Sequence, residues 1–325
     1  MKSTIRFLLV LGGLLCGITP MSGSAQAYPN KPIRVVIPFA PGSTLDFVAR
    51  LMGGKMSEAL GQPIVLDNRA GASGRTGSDY VARAAPDGYT VLMGASSTHV
   101  SGNFLVKNMP YDSFADFTPL GAAVNTMGAL VVHPSVPANS MKELLEYARS
   151  HPGKLAYGSN GVGSSYHLIT ELIKLSAGVD MLHVPYQGSG QVLNALMGGH
   201  LQVGFNGVGE ARKHLATGNL RVLAIATAQR FPAMPNIPTL AEVIPGYETL
   251  DVWLGFYGPA KMPEAIVNRL NAEIIASLNS PDVIEKLEAV GIQSLAGPPA
   301  ELTQRMRREM QIYARIFKAA KIEAQ

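Results

Sequence analysis

The chain has 325 residues, 47% of them hydrophobic and 15% charged, so it can bury a substantial core. That length suits roughly two domains of ~100–200 residues each. The formal net charge is only +4, and the basic residues concentrate only in the last helical stretch, where acidic residues interrupt them. This pattern is typical of a solvated helix face, which we favour over a nucleic-acid-binding surface.

The first 27 residues have the pattern of a secretory signal. Lys2 and Arg6 form a basic start, residues 7–18 are apolar, and residues 25–27 form an A-x-A cleavage site. The apolar run is shorter than the ~20 residues that a transmembrane helix needs. We therefore expect residues 1–27 to be removed and the mature chain to reside in the periplasm. Cleavage also removes the single cysteine, which excludes disulfides and cysteine-ligated zinc.

A strand, a small-residue loop and a helix follow one another near the mature N-terminus. Residues 33–39 are predicted to form a buried strand, and a Pro-Gly pair then turns the chain. Ser43, with Asp46 three residues later, predicts a capped helix over residues 45–60. A helix N-terminus attracts anions because its first amides lack helix partners and its macrodipole is positive there. This junction is therefore a candidate anion site.

The rest of the chain alternates between short apolar strands and helical patterns, which is typical of α/β proteins with parallel sheets. The pattern predicts strands at residues 63–67, 90–95, 129–133, 155–159, 181–186, 201–206, 221–227 and 251–257. It predicts helices at residues 76–84, 141–150, 166–176 and 190–198, and helical structure from residue 263 onward. The proline-rich residues 231–246 are expected to be irregular.

The strand, loop and helix combination occurs a second time at residues 155–173, where the loop is again rich in glycine and serine. Two anion-seeking helix starts in one chain suggest two lobes that hold one small acidic ligand between them. The strands near residues 123–133 and 251–257 are placed to cross between such lobes. We therefore expect lobe 1 to comprise residues 28–126 and 252–325, and lobe 2 to comprise residues 127–251.

Five segments carry a resemblance to a known family: YPNKPIRVVIPFAPGSTLD, LDNRAGASGRTGSDYVARAAPDGYTVLMG, LAYGSNGVGSSYHL, HVPYQGSGQVLNALMGGHLQVGFN and PTLAEVIPGYE. They follow one another over essentially the whole mature chain. The sequence resembles the Bug proteins, the periplasmic solute-binding receptors of tripartite tricarboxylate transporters. The resemblance implies a type II periplasmic binding protein fold, with two α/β lobes, two crossover strands and a ligand cleft. It also implies a small organic carboxylate ligand, a membrane permease as partner, a monomer, and no cofactor, metal or catalytic residue.

Carried over position by position, the resemblance predicts ligand-binding residues in the loops of both lobes: Phe39, Ala40, Gly42, Ser43, Thr44, Asp46, Ser96, Thr98, His99, Asn160, Gly163, Ser164, Ser165, Tyr186 and Asn206. Two positions depart from the family pattern. Leu45 replaces a hydroxyl residue, and Asn206 stands where the family often has aspartate. A buried ammonium group needs an acceptor or a counter-charge. We therefore expect the ligand to be an organic acid without an amino group, with a dicarboxylate or an aromatic carboxylate favoured.

Other interpretations stay open at this point. Capping of its own helix is an alternative role for Asp46, and histidines such as His99 and His167 are more often structural than metal ligands. Ser164 and His167 could form a hydrolase pair, although a base three residues along the same helix is a poor partner for a nucleophile. A periplasmic sensor that docks on a membrane kinase would present the same closed lobes as a transport receptor.

Overall fold

The computed structural model describes residues 28–324, apart from the side chains of residues 213 and 216. The predicted signal sequence at residues 1–27 lies outside the described residues. Within them, eleven strands form: β1 (Ile33–Ile37), β2 (Ile64–Asn68), β3 (Thr90–Ala95), β4 (Phe117–Thr126), β5 (Gly128–Val132), β6 (Ala156–Ser159), β7 (Leu182–Pro185), β8 (Val203–Gly207), β9 (Arg221–Ile225), β10 (Val252–Pro259) and β11 (Ile292–Gly297).

Eleven α-helices connect the described strands: α1 (Thr44–Leu60), α2 (Arg75–Ala82), α3 (Gly102–Leu105), α4 (Met141–Ser150), α5 (Ser165–Ala177), α6 (Ser189–Met197), α7 (Val208–Ala216), α8 (Leu240–Val243), α9 (Glu264–Leu278), α10 (Pro281–Ala289) and α11 (Pro299–Ala319). A 3-10 turn at Ala72–Gly74 and a π-helical turn at Ser97–Ser101 complete the set. Helix α1 shows why these segments fold as they do. It buries Val48, Met52 and Met56 on one face, at the four-residue spacing that brings side chains together on a helix.

Two sheets organise the chain, and lobes 1 and 2 are built on them. The six-stranded sheet of lobe 1 has the order β11-β4-β10-β3-β1-β2, and the five-stranded sheet of lobe 2 has the order β7-β6-β8-β5-β9. The predicted two-lobe α/β fold is therefore confirmed. The parallel pairing expected from the βα pattern is present in both sheets, but each sheet is mixed, because β10 runs antiparallel to β3 and β4, and β5 runs antiparallel to β8 and β9. Strands β5 and β10 are the first strands that the chain forms after it crosses from one lobe to the other.

The two crossings between the sheets lie side by side. Strand β4 ends at Thr126 and β5 begins at Gly128, so only Met127 separates the sheets at the first crossing. At the second crossing the chain re-enters lobe 1 at Val252, which is paired in register with Thr126. The Thr126 hydroxyl donates a hydrogen bond to the Val252 carbonyl at 2.9 Å. We propose that the lobe boundaries fall at these two points, after residues 126 and 251.

Several segments differ from the sequence-based prediction, among them the following three. Residues after 263 are not helical throughout, because β11 pairs with β4 at the edge of the sheet of lobe 1. The proline-rich stretch contains the short helix α8, whose N-terminus is a capping box of Thr239 and Glu242. Helix α7 follows β8 directly and was missed, because its N-cap, Gly207, provides no side-chain cap.

Candidate functional site

A cleft of about 780 Å³ opens between the lobes. Lobe 1 contributes Phe39, Gly42, Ser43, Thr44, Phe47 and Ser97. Lobe 2 contributes Asn160, Ser164, Ser165, Tyr166, Ser189, Gly207 and Glu210. The floor near the crossings is formed by Thr126, Met127, Val252, Val290, Gly291 and Ile292. The volume is in the range of small-molecule binding sites.

The N-terminus of α1 forms the lobe 1 wall of this cleft. Ser43 is the N-cap, and its hydroxyl oxygen accepts a hydrogen bond from the Asp46 amide at 3.3 Å. The Asp46 carboxylate reaches back and accepts the Gly42 amide at 3.0 Å. Gly42 has a φ of 82°, which glycine adopts without strain. The amides of Thr44 and Leu45 can have no acceptor within the helix, so they are free to bind an anion.

The N-terminus of α5 forms the opposite wall with the same set of bonds. Ser164 is the N-cap, and its hydroxyl oxygen accepts the His167 amide at 3.4 Å. The ring of His167 takes the place of the carboxylate, because its Nδ1 accepts the Gly163 amide at 2.9 Å. Gly163 has a φ of 74°. The amides of Ser165 and Tyr166 have no acceptor within the helix. The two walls therefore present equivalent pairs of amides and hydroxyls.

The carboxylate of Asp46 is buried and held in its charged form. Arg50 donates to it through Nε at 2.9 Å and Nη2 at 3.0 Å, and Asn68 donates at 3.0 Å. The hydrogen bonds from Arg50, then from the Gly42 amide and Asn68, lower the Asp46 pKa to about 2, against the opposing effect of burial. All of these partners belong to lobe 1, so Asp46 orders the loop that precedes α1.

Two histidines stack behind the lobe 2 wall. The rings of His167 and His183 lie 3.9 Å apart, and His183 Nε2 is 2.6 Å from the hydroxyl of Ser159. Burial lowers the pKa of His167, and burial together with the neighbouring His167 lowers the pKa of His183 to about 4. The ring of His167 is therefore neutral at neutral pH, as its role as an acceptor for the Gly163 amide requires.

Of the predicted ligand-binding residues, seven line the cleft: Phe39, Gly42, Ser43, Thr44, Asn160, Ser164 and Ser165. Three others hold the loops in place from behind: Ala40, Asp46 and Gly163. The Ala40 carbonyl accepts a hydrogen bond from the Ser43 amide. Asp46 accepts the Gly42 amide, and the Gly163 amide donates to His167, as described above. Ligand contact by any of these ten residues stays a prediction.

The remaining five predicted residues are not among those that line the cleft. Ser96, Thr98 and His99 are buried inside lobe 1. There the ring of His99 stacks on Tyr257 with ring centroids 3.9 Å apart. The amide of Tyr186 donates to the Ser159 carbonyl at 2.9 Å. Asn206 is fully buried, and its amide nitrogen lies 3.5 Å from the carboxylate of Glu210. Direct ligand contact by these five also stays a prediction.

Sequence reasoning missed several residues of the cleft. Glu210, Ser189, Tyr166 and Phe47 line it but were not among the predicted site residues. Tyr166 could have been found, since it directly follows Ser165 at the start of the predicted helix. Glu210 could not, because α7 was not predicted and its start has no capping side chain.

A second cavity, of about 920 Å³, lies between α5 and the end of α11. Its lining includes Lys174, His167 and His183, together with residues 319–324. Lys174 is already paired there with Glu171 at 2.9 Å. The cavity shares His167 with the lobe 2 wall, but it contains neither of the helix starts that form the cleft. The cleft is therefore the stronger candidate for the ligand site.

A two-lobed α/β fold with a ligand-sized cleft between the lobes is typical of solute-binding proteins. Residues 48–322 match the sequence profile of the family described as tripartite tricarboxylate transporter family receptor. Protein BugT of Bordetella pertussis is 33% identical over 298 residues, which cover 91% of each protein. The chain therefore belongs to the tripartite tricarboxylate transporter receptor family, as the sequence resemblance predicted.

Solved structures agree with this assignment. R. palustris Rpa4515, solved with adipate, is 35% identical and superposes with a TM-score of 0.77, covering 92% of this chain and 100% of its own. MatC (Rpa3494) from Rhodopseudomonas palustris, with bound malate, is 31% identical with a TM-score of 0.71, covering 89% and 99%. Receptors of this family are periplasmic. Among the helices formed by residues 28–324, none combines the length and apolarity that a membrane span requires.

Proposed function

We propose that this protein captures a small organic carboxylate in the cleft and delivers it to a membrane permease of the tripartite tricarboxylate type. The observation that carries the proposal is the repeated helix start. Ser43 and Ser164 cap α1 and α5 with the same bonds, and each cap presents two amides without helix acceptors at the cleft. The described lining contains no lysine, arginine or histidine, so amides, hydroxyls and helix dipoles must supply the attraction for the anion.

The relatives support a carboxylate ligand and an exported receptor. Adipate and malate, named for two similar structures, are both dicarboxylates. They keep a dicarboxylate among the candidate ligands, as the sequence analysis favoured. The predicted signal sequence at residues 1–27 supports export of this chain to the periplasm, where receptors of the family act.

The geometry of the second helix start favours binding over hydrolysis. The hydroxyl of Ser164 contacts the main-chain amide of His167, and the ring of His167 accepts the Gly163 amide through Nδ1. In a serine–histidine pair, the serine hydroxyl must give its proton to a ring nitrogen of the histidine. Both Ser164 and His167 are used instead to shape the loop, so the hydrolase alternative has little support.

The proposal is tested by binding experiments on the mature chain with a panel of small organic acids. A ligand that binds only the folded state raises its stability by RT ln(1 + [L]/Kd), about 2.7 kcal/mol at a hundredfold excess over Kd. Thr44→Ala and Ser165→Ala remove equivalent hydroxyls from the two walls, and each should weaken binding about ten- to a hundredfold. Thr303→Ala, on α11 and outside the cleft lining, is the control.

Two outcomes would contradict the proposal. One is a panel in which no acid changes the melting temperature or gives heat in calorimetry. The other is a bound acid whose affinity neither wall variant changes. Uptake of the bound acid by cells with and without the gene then distinguishes a transport receptor from a sensor of a membrane kinase, because only the former is needed for uptake.

A further inference from the structure

The charge in the cleft is unevenly placed. Among the described side chains that line it, Glu210 is the only charged one, and it lies in the first turn of α7. The helix starts at Ser43 and Ser164 offer donors for a carboxylate. The Glu210 carboxylate can only accept hydrogen bonds when it is charged. The cleft thus has donor-rich walls and one acceptor-rich position.

A second observation concerns the hydrogen-bond donors that the described residues place near Glu210. Asn206, four residues earlier in β8, is fully buried. Its Nδ2 lies 3.5 Å from Glu210 Oε2, and within the described residues its Oδ1 has no donor. A buried acceptor without a donor is costly, and the partly exposed carboxylate of Glu210 can accept further hydrogen bonds. Of these two groups Glu210 lines the cleft, so a bound molecule that brings a hydrogen-bond donor would satisfy its carboxylate.

Glu210 also lies near the anion-binding wall of lobe 2. Tyr166, which follows Ser165 in α5, lines the cleft beside it. Burial, and then the negative charge of Glu210, raise the pKa of the Tyr166 phenol to about 12. The carboxylate is therefore close enough to the start of α5 to act on the same small ligand.

We propose that Glu210 determines specificity for a carboxylic acid that also carries a cationic amino group, and that it disfavours a second carboxylate. An ammonium group would gain a charge-assisted hydrogen bond at Glu210, whereas a second carboxylate would meet a like charge in a partly desolvated cleft. This inference depends on the proposed function, because the ligand's first carboxylate is taken to bind the helix starts. It replaces the sequence-based preference for a dicarboxylate or aromatic acid, which assumed that the cleft had no available acidic side chain.

A purely structural role for Glu210 makes a different prediction. An acidic residue in the first turn of a helix stabilises the helix dipole, whatever the ligand. Glu264 occupies the same kind of position in α9, is exposed, and does not line the cleft. Glu264→Gln is therefore the matched control for Glu210→Gln. A dipole role alone would lower stability in both variants and leave the ligand preference unchanged.

The test uses acids of four, five and six carbons in calorimetry at neutral pH. Each length is supplied as the plain monocarboxylate, the dicarboxylate, the 2-amino acid and the acid with a terminal amino group. In the wild-type protein we expect one amino acid series to bind more tightly than the dicarboxylate of the same length. Glu210→Gln should change that ratio about ten- to a hundredfold in favour of the dicarboxylate, and Glu264→Gln should leave it unchanged.

The possible failures are distinguishable. If dicarboxylates bind the wild-type protein at least as tightly as both amino acid series, the assignment of Glu210 is wrong, while the carboxylate-receptor function stands. The same holds if Glu210→Gln leaves the ratio of affinities within about threefold of the wild-type ratio. If no acid of any series binds, the proposed function fails, and the role of Glu210 fails with it.

Discussion

A buried carboxyl group beside the only tryptophan gives the protein an internal pH reporter. Glu309, on α11, is 0% exposed, and its Oε2 accepts a hydrogen bond from the indole nitrogen of Trp253 at 2.8 Å. Burial, aided by the charge of Asp251, raises the Glu309 pKa to about 8, although the Trp253 bond and the cations Arg305 and Arg308 oppose the shift. Glu309 is therefore mostly protonated at neutral pH.

The effect on stability follows from this shift. The folded state binds the proton more tightly than the unfolded state, whose carboxyl has an ordinary pKa of 4.5. The stabilisation of the folded state by protonated Glu309 is fully present below pH 4.5 and is lost as the pH rises through 8. Since one pKa unit corresponds to 1.36 kcal/mol, we expect Glu309 to cost the wild-type protein about 3 kcal/mol between pH 6 and pH 9.

Glu309→Gln provides the comparison, because glutamine has the shape of the protonated acid and can accept the same bond from Trp253. In urea denaturation, the free energy of unfolding of the wild-type protein should fall by about 3 kcal/mol between pH 6 and pH 9, and that of the variant should not. Trp253 emission should titrate near pH 8 in the wild-type protein alone. Equal pH dependence in both proteins, or an emission midpoint near that of an exposed carboxyl, would refute the reasoning.

Three further predictions concern the cleft and its surroundings. Ser165→Ala should weaken ligand binding with little loss of stability, whereas Ser164→Ala should also cost about 1 kcal/mol in urea denaturation, because it removes an N-cap. Acidification below pH 6.5 should destabilise the protein through His167, because its lowered pKa means that the unfolded state binds a proton more tightly than the folded state. His167→Asn should reduce this loss of stability, measured as the difference between urea denaturation at pH 5 and at pH 7. Gly209→Ala should destabilise by about 1–3 kcal/mol, because a Cβ there would meet the Val290 backbone at 2.8 Å, while Gly54→Ala, with open space in α1, should be neutral or stabilising.

The parts of the site that could be predicted from sequence are those set by local hydrogen bonds. A helix N-cap involves residues three or four apart, so Ser43 with Asp46 marks the start of α1 without knowledge of the rest of the fold. The second start follows from Ser164 in the same way, although the part played by the ring of His167 was not foreseen. Its signal was available, because His167 stands three residues after Ser164, as Asp46 stands after Ser43.

The parts that were missed depend on contacts distant in sequence. Strand β11 forms because its residues find the free edge of β4, about 170 residues earlier in the chain, and its own sequence has no strong alternation. Glu210 enters the cleft because Gly209 lets the start of α7 pack closely against the Val290–Gly291 backbone of lobe 1. A glycine in a sequence does not reveal which backbone it will meet, so the charge of the cleft could not be foreseen.

The two helix starts use the same geometry but differ in how they respond to protons. In lobe 1 the loop depends on Asp46, whose pKa of about 2 keeps it charged at any pH near neutral. In lobe 2 the equivalent bond depends on the neutral ring of His167, since a protonated ring would turn a donor toward the Gly163 amide. Acidification should therefore disturb the lobe 2 wall while the lobe 1 wall stays intact. Because the proposed ligand site uses both walls, we expect acidification to weaken carboxylate binding through the loop of lobe 2.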